Sequence, residues 1–288
     1  MNQELHFDQE LIELYKTIAD NEANRMAFAN QFILPIGAMV AAESSVRNYF
    51  WVDVLKAGQT AVYPVDPNQI EATVMPGRGL VPQTLMVADL VFVPTFEIAA
   101  SPFWSKKLAR DGRYNIAQRE ITRAKDAIIR AENENGWRML RSAISEDNEV
   151  DVNATSLSKT LLNRTVAELD AREGYTASLI IINPQRASDL REWAKTEISD
   201  KVYDKIHTKN SLGSIWGYDI VKDHSCGLNE IFVLDTSKLG IMPVRQEITV
   251  EEDVTLNRSL SIGYILWEEI GFYIADETAI VKGVINEA

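Results

Sequence analysis

Apolar residues recur at helical intervals near the start of the chain and then switch to the spacing of strands. The first stripe predicts a helix over residues 8–30. It consists of Leu11, Leu14, Tyr15, Ile18 and Met26. Because the stripe is interrupted at residues 20–24, this helix packs either on its own domain or on an external surface.

Residues 49–101 are rich in β-branched and aromatic residues and contain frequent turn signals. The predicted strands are Phe50–Leu55, Ala61–Val65, Ile70–Val74 and Leu90–Ile98. Five of the nine prolines lie between residues 64 and 94. Since a proline cannot donate to a strand ladder, these strands should be edges or ends of sheets. The stretch therefore drapes over its own domain or reaches onto a neighbouring molecule.

Residues 113–145 predict a single very long helix, about 50 Å at about 1.5 Å per residue. The stretch contains no proline, and Gly136 is its only internal glycine. Its apolar face consists of Ala117, Ile121, Ala124, Ile128 and Ala131. Seven basic residues outnumber four acidic ones. Because charges of both signs alternate along the helix, a solvated charged face is the favoured interpretation of this basic excess. A functional basic face is the alternative.

The rest of the chain alternates helices and strands. Helices are predicted over 158–171, where Gly174 follows as a stop signal, and over 183–194. Between them, Ser178–Ile182 is a short apolar run typical of a strand covered on both faces. Further strands are predicted at 215–221, 230–234, 240–250, 259–274 and 279–285. This mixture predicts an α+β fold.

Composition limits the classes of function. With 288 residues, 46% apolar and 25% charged, the chain can bury a substantial core. Its net charge of −13 argues against a protein that grips nucleic acid with its whole surface. The single cysteine, Cys226, excludes an internal disulfide and a multi-thiolate metal site. The longest uncharged run, residues 26–42, is shorter than the roughly 20 residues of a membrane span, so no membrane contact is expected.

Motifs that carry chemistry are nearly absent. The sequence has no phosphate-binding loop, dinucleotide-binding glycine pattern, zinc-protease helix or serine nucleophile elbow. His224 and Cys226 lie in a polar turn, where an incidental position is favoured over a metal site or a base–nucleophile pair. The carboxylates at 251–253 and 268–269 are interpreted as solvated strand ends, with a cation site as the less favoured alternative. No catalytic, metal or cofactor site is predicted, and the chain is not expected to be an enzyme.

The order of elements resembles that of the major capsid proteins of tailed bacteriophages, the Johnson fold of a Hong Kong phage capsid. The phrases that carry the resemblance are Gly58–Val65, Pro76–Gly79, Val93–Ile98, Leu179–Pro184 and Ile270–Val281. The resemblance implies an N-terminal arm at 1–48, an extended β loop at 49–98, a peripheral domain at 99–150 and 255–288, and an axial domain at 151–254. The long helix is then the spine helix of the peripheral domain.

This resemblance implies a structural protein that self-assembles into hexamers and pentamers, which close as an icosahedral shell around double-stranded DNA. Implied partners are further copies, a portal, and DNA bound without sequence specificity, with no cofactor. The resemblance also implies a separate scaffolding protein, or none. The protein would be assembled in the host cytoplasm and reside in the virion. Intersubunit contacts are expected from the loop, at Trp51, Tyr63, Pro76, Gly77, Arg78 and Gly79. A basic surface facing the lumen is expected at Arg119, Arg123 and Arg130.

The chain departs from the founding member of that family in one respect. The founding protein joins subunits covalently through a loop lysine, a partner asparagine and an assisting glutamate. Here Lys56 is the only lysine between residues 49 and 105, and it lies near the base of the loop, so this chemistry is not carried over. The alternatives are an encapsulin-like or gene-transfer-agent shell and, more distantly, a cytoplasmic α/β enzyme with its site within residues 180–230.

Overall fold

The computed structural model describes residues 40, 43–65, 89–111, 116–193 and 214–286. Three predictions lie outside the described residues: the helix at 8–30, the strand Ile70–Val74, and the loop tip formed by Pro76, Gly77, Arg78 and Gly79.

The described helices are α1 (Lys106–Asp111), α2 (Ile116–Ser142), α3 (Lys159–Asp170) and α4 (Ala187–Glu192). Helix α2 confirms the predicted long helix and is called the spine helix below. Ser158 caps α3, because its side chain accepts a hydrogen bond from the Leu161 N–H at 3.2 Å. Helix α4 is shorter than predicted because the backbone first makes a turn, closed by the Arg186 N–H and the Asn183 carbonyl at 3.0 Å.

The first sheet follows the order β1-β11-β12-β4, with β13 beside β11 and β5 beside β12. Its strands are β1 (Trp51–Val54), β4 (Phe96–Ala100), β5 (Phe103–Ser105), β11 (Gly240–Glu252), β12 (Ser261–Ile270) and β13 (Tyr273–Ile274). Strand β1 is parallel to β11, and the other pairs are antiparallel. The spine helix packs on this sheet, and their apolar side chains share one core.

The second sheet follows the order β6-β14-β10-β7-β9-β8. Its strands are β6 (Glu149–Ala154), β7 (Leu179–Ile182), β8 (Ser214–Ile215), β9 (Tyr218–Lys222), β10 (Glu230–Leu234) and β14 (Ile280–Ile285). Every residue of β7 is buried. Leu179 and Ile181 point into the core shared with the spine helix, whereas Ile180 and Ile182 point into a second core with α3 and α4. The prediction of a strand covered on both faces is therefore confirmed.

A separate two-stranded ribbon rises between β1 and β4. Strand β2 (Val62–Val65) pairs in antiparallel register with β3 (Asp89–Phe92). Its base rests on a small core of Leu55, Ala61, Tyr63 and Val93. These strands are the stem of the extended loop predicted at 49–98. Residues 66–88, which connect the two strands, lie outside the described part of the chain.

The stretch 215–221, predicted as one strand, is a hairpin made by β8 and β9. The two residues between the strands, Trp216 and Gly217, have φ of 55° and 95°. Positive φ at both central positions reverses the chain within two residues, as in a type I′ turn. The prediction of one continuous strand was wrong here because this two-residue turn reverses the chain between β8 and β9.

The two sheets do not coincide with the ranges expected for the axial and peripheral domains. Strand β11 lies within 151–254, yet it pairs with β1 and β12 in the first sheet. Strand β14 lies within 255–288, yet it joins the second sheet between β6 and β10. The chain thus crosses between the sheets after β10 and again after β13, a long-range pairing that local sequence pattern does not encode.

Candidate assembly surfaces and arm anchor

The ribbon presents an apolar face to solvent. In the β2–β3 register Val62 lies opposite Phe92, and Pro64 lies opposite Leu90. Because successive strand residues point to opposite faces, these four side chains share one face. Leu90 is 71% exposed and Phe92 is 59% exposed. Such a continuous apolar surface on a two-stranded ribbon is typical of an interaction site.

The opposite face of the ribbon is turned toward the subunit itself. Tyr63 is buried in the small core at the ribbon base, and its hydroxyl donates to Asp53 Oδ2 at 2.8 Å. Burial, together with this hydrogen bond and the charge of Asp53, raises the pKa of the Tyr63 hydroxyl. Tyr63 therefore supports the ribbon from within, and its ring is not exposed in the way expected of a contact residue. Trp51 on edge strand β1 is 58% exposed and does offer a contact surface.

The outward face of the spine helix is basic. Its exposed stripe consists of Arg119, Arg123, Asp126, Arg130, Glu134, Arg138 and Arg141. Arg119 and Arg123 both approach Glu120 Oε1, at 3.3 and 3.1 Å, with their side chains about two-thirds exposed. The three arginines predicted as one basic surface, Arg119, Arg123 and Arg130, thus lie on the same exposed face. Five guanidinium groups stand against the carboxylates of Asp126, Glu134 and Glu120, and Arg141 also pairs with Glu230 at 2.7 Å, so the stripe keeps a small positive excess.

The last residues of the range expected for the arm, 1–48, are anchored on the inner face of the spine helix by a buried ionic cluster. Glu132 of the spine helix and Glu268 of β12 are fully buried. Arg47 bridges them: its Nε donates to Glu132 Oε1 at 2.8 Å, and its Nη2 donates to Glu268 Oε2 at 3.2 Å. Ser44 also donates to Glu132 Oε1, at 2.7 Å. We call Arg47, Glu132 and Glu268 the anchor cluster.

Asp223, just after β9, joins the same segment to the second sheet. Its Oδ2 accepts hydrogen bonds from Ser45 Oγ at 2.6 Å, Tyr49 Oη at 2.8 Å and Trp137 Nε1 at 2.8 Å. Its Oδ1 accepts from the Ser225 N–H at 2.8 Å. Burial opposes ionisation, but these four donors outweigh it and lower the pKa of the Asp223 carboxyl.

Sequence reasoning missed both of these polar centres. It treated Glu268 and its neighbour Glu269 as solvated strand ends, whereas only Glu269 is partly exposed, where it pairs with Arg245 at 3.2 Å. In strand β12 the buried residues 262, 264, 266, 268 and 270 alternate, so the period of two placed Glu268 inward. For Asp223 no local signal existed, because three of its four donors, Ser45, Tyr49 and Trp137, come from two distant parts of the chain.

The thiol and the possible metal ligands noted in the sequence do not form a reactive site in the described residues. Cys226 is buried, its thiol faces the Glu230 carbonyl at 3.3 Å, and burial raises its pKa. Within the described ranges no group of three or more metal-ligating side chains comes together. None of the helices described above is long and apolar enough to cross a membrane.

Comparison with known proteins identifies the architecture. The family model of the phage capsid family matches residues 27–285. The capsid of a native GTA particle superposes with a TM-score of 0.64 at 16% identity, over 85% of this chain and 90% of that chain. A protein of Mycobacterium phage Bobi gives a TM-score of 0.61 at 14% identity, over 85% of this chain and 91% of that chain. No curated protein matches the chain at a significant level.

A virus-like particle from Pyrococcus furiosus has the same fold, with a TM-score of 0.56 at 15% identity over 88% of this chain and 98% of that chain. The family match over most of the chain defines a structural, shell-forming protein, and these structures share its fold. The chain belongs to the phage capsid family. The predicted Johnson-type fold and the predicted role, a major capsid protein, are therefore confirmed.

Proposed function

We propose that this capsid protein assembles into hexamers and pentamers that close as an icosahedral shell around double-stranded DNA. The observation that carries the proposal is the exposed apolar face of the ribbon, because a soluble subunit gains from burying such a face against another copy. Repetition of one head-to-tail contact around a ring closes a capsomer without a two-fold interface.

In this proposal each part of the subunit has its own role in assembly. The ribbon and the undescribed residues 66–88, including Pro76, Gly77, Arg78 and Gly79, form the clamp onto the neighbouring subunit, with Trp51 at its base. The second sheet with α3 and α4 is the axial domain, and the first sheet with the spine helix is the peripheral domain. Assembly takes place in the host cytoplasm, with a portal and a separate scaffolding protein as partners, and the product resides in the virion.

The basic stripe of the spine helix faces the lumen in this proposal. An acidic chain repels packaged DNA, and Arg119, Arg123 and Arg130 would offset part of this repulsion with salt-dependent, sequence-independent attraction. Such a contact needs no base-specific geometry.

A shell with other contents is the second candidate. The matches to a GTA particle capsid and to a virus-like particle favour it as much as they favour a phage shell. The contents separate the candidates: phage genome, host DNA or cargo protein would be recovered from purified particles by nuclease protection and mass spectrometry.

The assembly proposal is tested by replacing Leu90 and Phe92 together with serine. We expect a folded protein with normal helix content that elutes as subunits and forms no closed particles by negative-stain microscopy. Exposed Leu228, on the turn before β10, provides the matched control, and its replacement with serine should leave particles intact. Normal particles from the Leu90/Phe92 variant would contradict the clamp.

A further inference from the structure

The anchor cluster is unbalanced in charge. One guanidinium, that of Arg47, faces two fully buried carboxyl groups, Glu132 and Glu268. Among the described residues, the other charged group in contact with Arg47 is Glu247 of β11, whose carboxylate lies 3.4 Å from Arg47 Nη1 and is about half exposed. Lys125 of the spine helix does not compensate, because it pairs with Glu43 at 2.8 Å. With both glutamates ionised, the site would hold an uncompensated negative charge away from water.

One oxygen of the cluster lacks the partner that an ionised carboxylate needs. Glu268 Oε2 accepts from Arg47, but Oε1 is buried and has no hydrogen-bond partner within the described residues. A proton on this carboxyl would turn it into a donor toward Glu132 and remove the excess charge. Burial first, and then the negative charge of Glu132 against the opposing effect of Arg47, raise the pKa of Glu268 from 4.5 to about 8.

The cluster joins three parts of the fold. Arg47 belongs to the short 3-10 turn Val46–Asn48, at the end of the range expected for the arm, whereas Glu132 lies on the spine helix and Glu268 lies on the first sheet. We propose that the anchor cluster is a proton-operated latch: a shared proton strengthens the attachment of residues 44–50 to the spine helix, and its loss raises the population in which this segment opens while the sheets stay folded. The capsid role is not needed for this inference, since it rests only on contacts within one subunit.

The direction with pH follows from proton linkage. Between pH 4.5 and about 8 the closed latch retains a proton that a released carboxyl gives up. Closing is therefore fully favoured below this window, weakens as pH rises through it, and levels off above about 8. A single linked proton changes the closing equilibrium by at most about tenfold per pH unit.

Hydrogen exchange of the full-length protein tests the latch. The amides of Asn48, Tyr49 and Phe50 are hydrogen-bonded within the segment, to the carbonyls of Ser45 and Val46. We expect their protection factors, corrected for intrinsic exchange at each pH, to fall severalfold or more between about pH 5.5 and pH 8.5. Amides of β10 should keep their protection over the same range. Protection that is flat in the segment, or that falls equally in β10, would overturn the proposal.

Two variants remove the proton by different routes. Glu268→Gln keeps the shape and supplies an N–H donor toward Glu132, so the segment should stay protected at every pH. Glu132→Gln leaves Arg47 and Glu268 as a balanced pair and should also abolish the pH dependence, even if it weakens the segment. Glu269→Gln is the matched control, because Glu269 faces Thr95 and Arg245 and should leave the wild-type pH profile unchanged. A wild-type profile in Glu268→Gln would overturn the latch.

Discussion

Gly136 of the spine helix lies so close to Val46 that a Cβ atom at position 136 would be 2.3 Å from Val46 Cγ1. The only glycine of the long helix thus marks the place where the last residues of the arm range cross it. A glycine inside a helix costs about 1 kcal/mol relative to alanine, so its presence here reflects the close approach of Val46.

Replacing Gly136 with alanine should therefore destabilise the protein, although the same change stabilises most helices. We expect the free energy of unfolding to fall by about 1–3 kcal/mol, as is usual for overpacking a core. The change in the free energy of unfolding is measured by urea unfolding of Gly136→Ala and of the double variant that also carries Val46→Ala. The second substitution should recover part of the loss, because it removes the clashing methyl groups. Stabilisation by Gly136→Ala alone would contradict the packing.

Asp223→Asn should weaken the junction between the segment and the second sheet. An amide cannot accept all four hydrogen bonds that the carboxylate accepts, and a buried donor without a partner costs about 1–3 kcal/mol. Since the pKa of Asp223 is lowered on folding, its contribution is present above the ordinary carboxyl pKa and is lost as pH falls through the folded value.

Unfolding by urea at pH 7 and pH 3 checks this prediction. The wild type should lose more stability on acidification than Asp223→Asn does. Asp189→Asn is a control, since Asp189 accepts a hydrogen bond from the Leu157 N–H at 2.8 Å in the other core. This variant should lose as much stability on acidification as the wild type does. Equal acid responses in the wild type and Asp223→Asn would show that Asp223 is not the sensitive group.

The basic stripe predicts an effect on packaged DNA but not on assembly. Replacing Arg119, Arg123 and Arg130 with glutamine should leave particles intact and lower the nucleic acid recovered per particle, increasingly at low salt. Replacing Lys159, Arg164 and Arg191, on α3 and α4, makes the same change in net charge elsewhere. If both triple variants lose the same amount of nucleic acid, net charge and not the spine helix is responsible.

Local elements were predictable where periodicity was long and unbroken. The spine helix, α3, β7 and β2 lie where the apolar pattern placed them, whereas the predicted strand Leu90–Ile98 is divided into β3 (Asp89–Phe92) and β4 (Phe96–Ala100). The pattern failed where geometry depended on one or two residues, as at the Trp216-Gly217 turn. The order of elements was enough to indicate the capsid fold, because that order is itself long-range information.

The polar centres could not have been derived in the same way. Arg47 and Glu268 are separated by 221 residues, and Ser45 and Asp223 by 178. These pairs form only when the two sheets and the spine helix pack together, so no local sequence motif predicts them. The exposed state of Leu90 and Phe92, in contrast, agrees with the expectation that the prolines and glycines of this stretch prevent a closed sheet and leave its apolar residues for a neighbouring molecule.

A cryo-electron microscopy map of particles formed by the expressed protein tests the central claim most directly. The account predicts closed shells in which Val62, Leu90 and Phe92 are buried against an adjacent subunit. Protein that stays monomeric or dimeric under all salt and pH conditions, with and without a scaffolding partner, would contradict it. Shells in which this face of the ribbon remains open to solvent would contradict it equally.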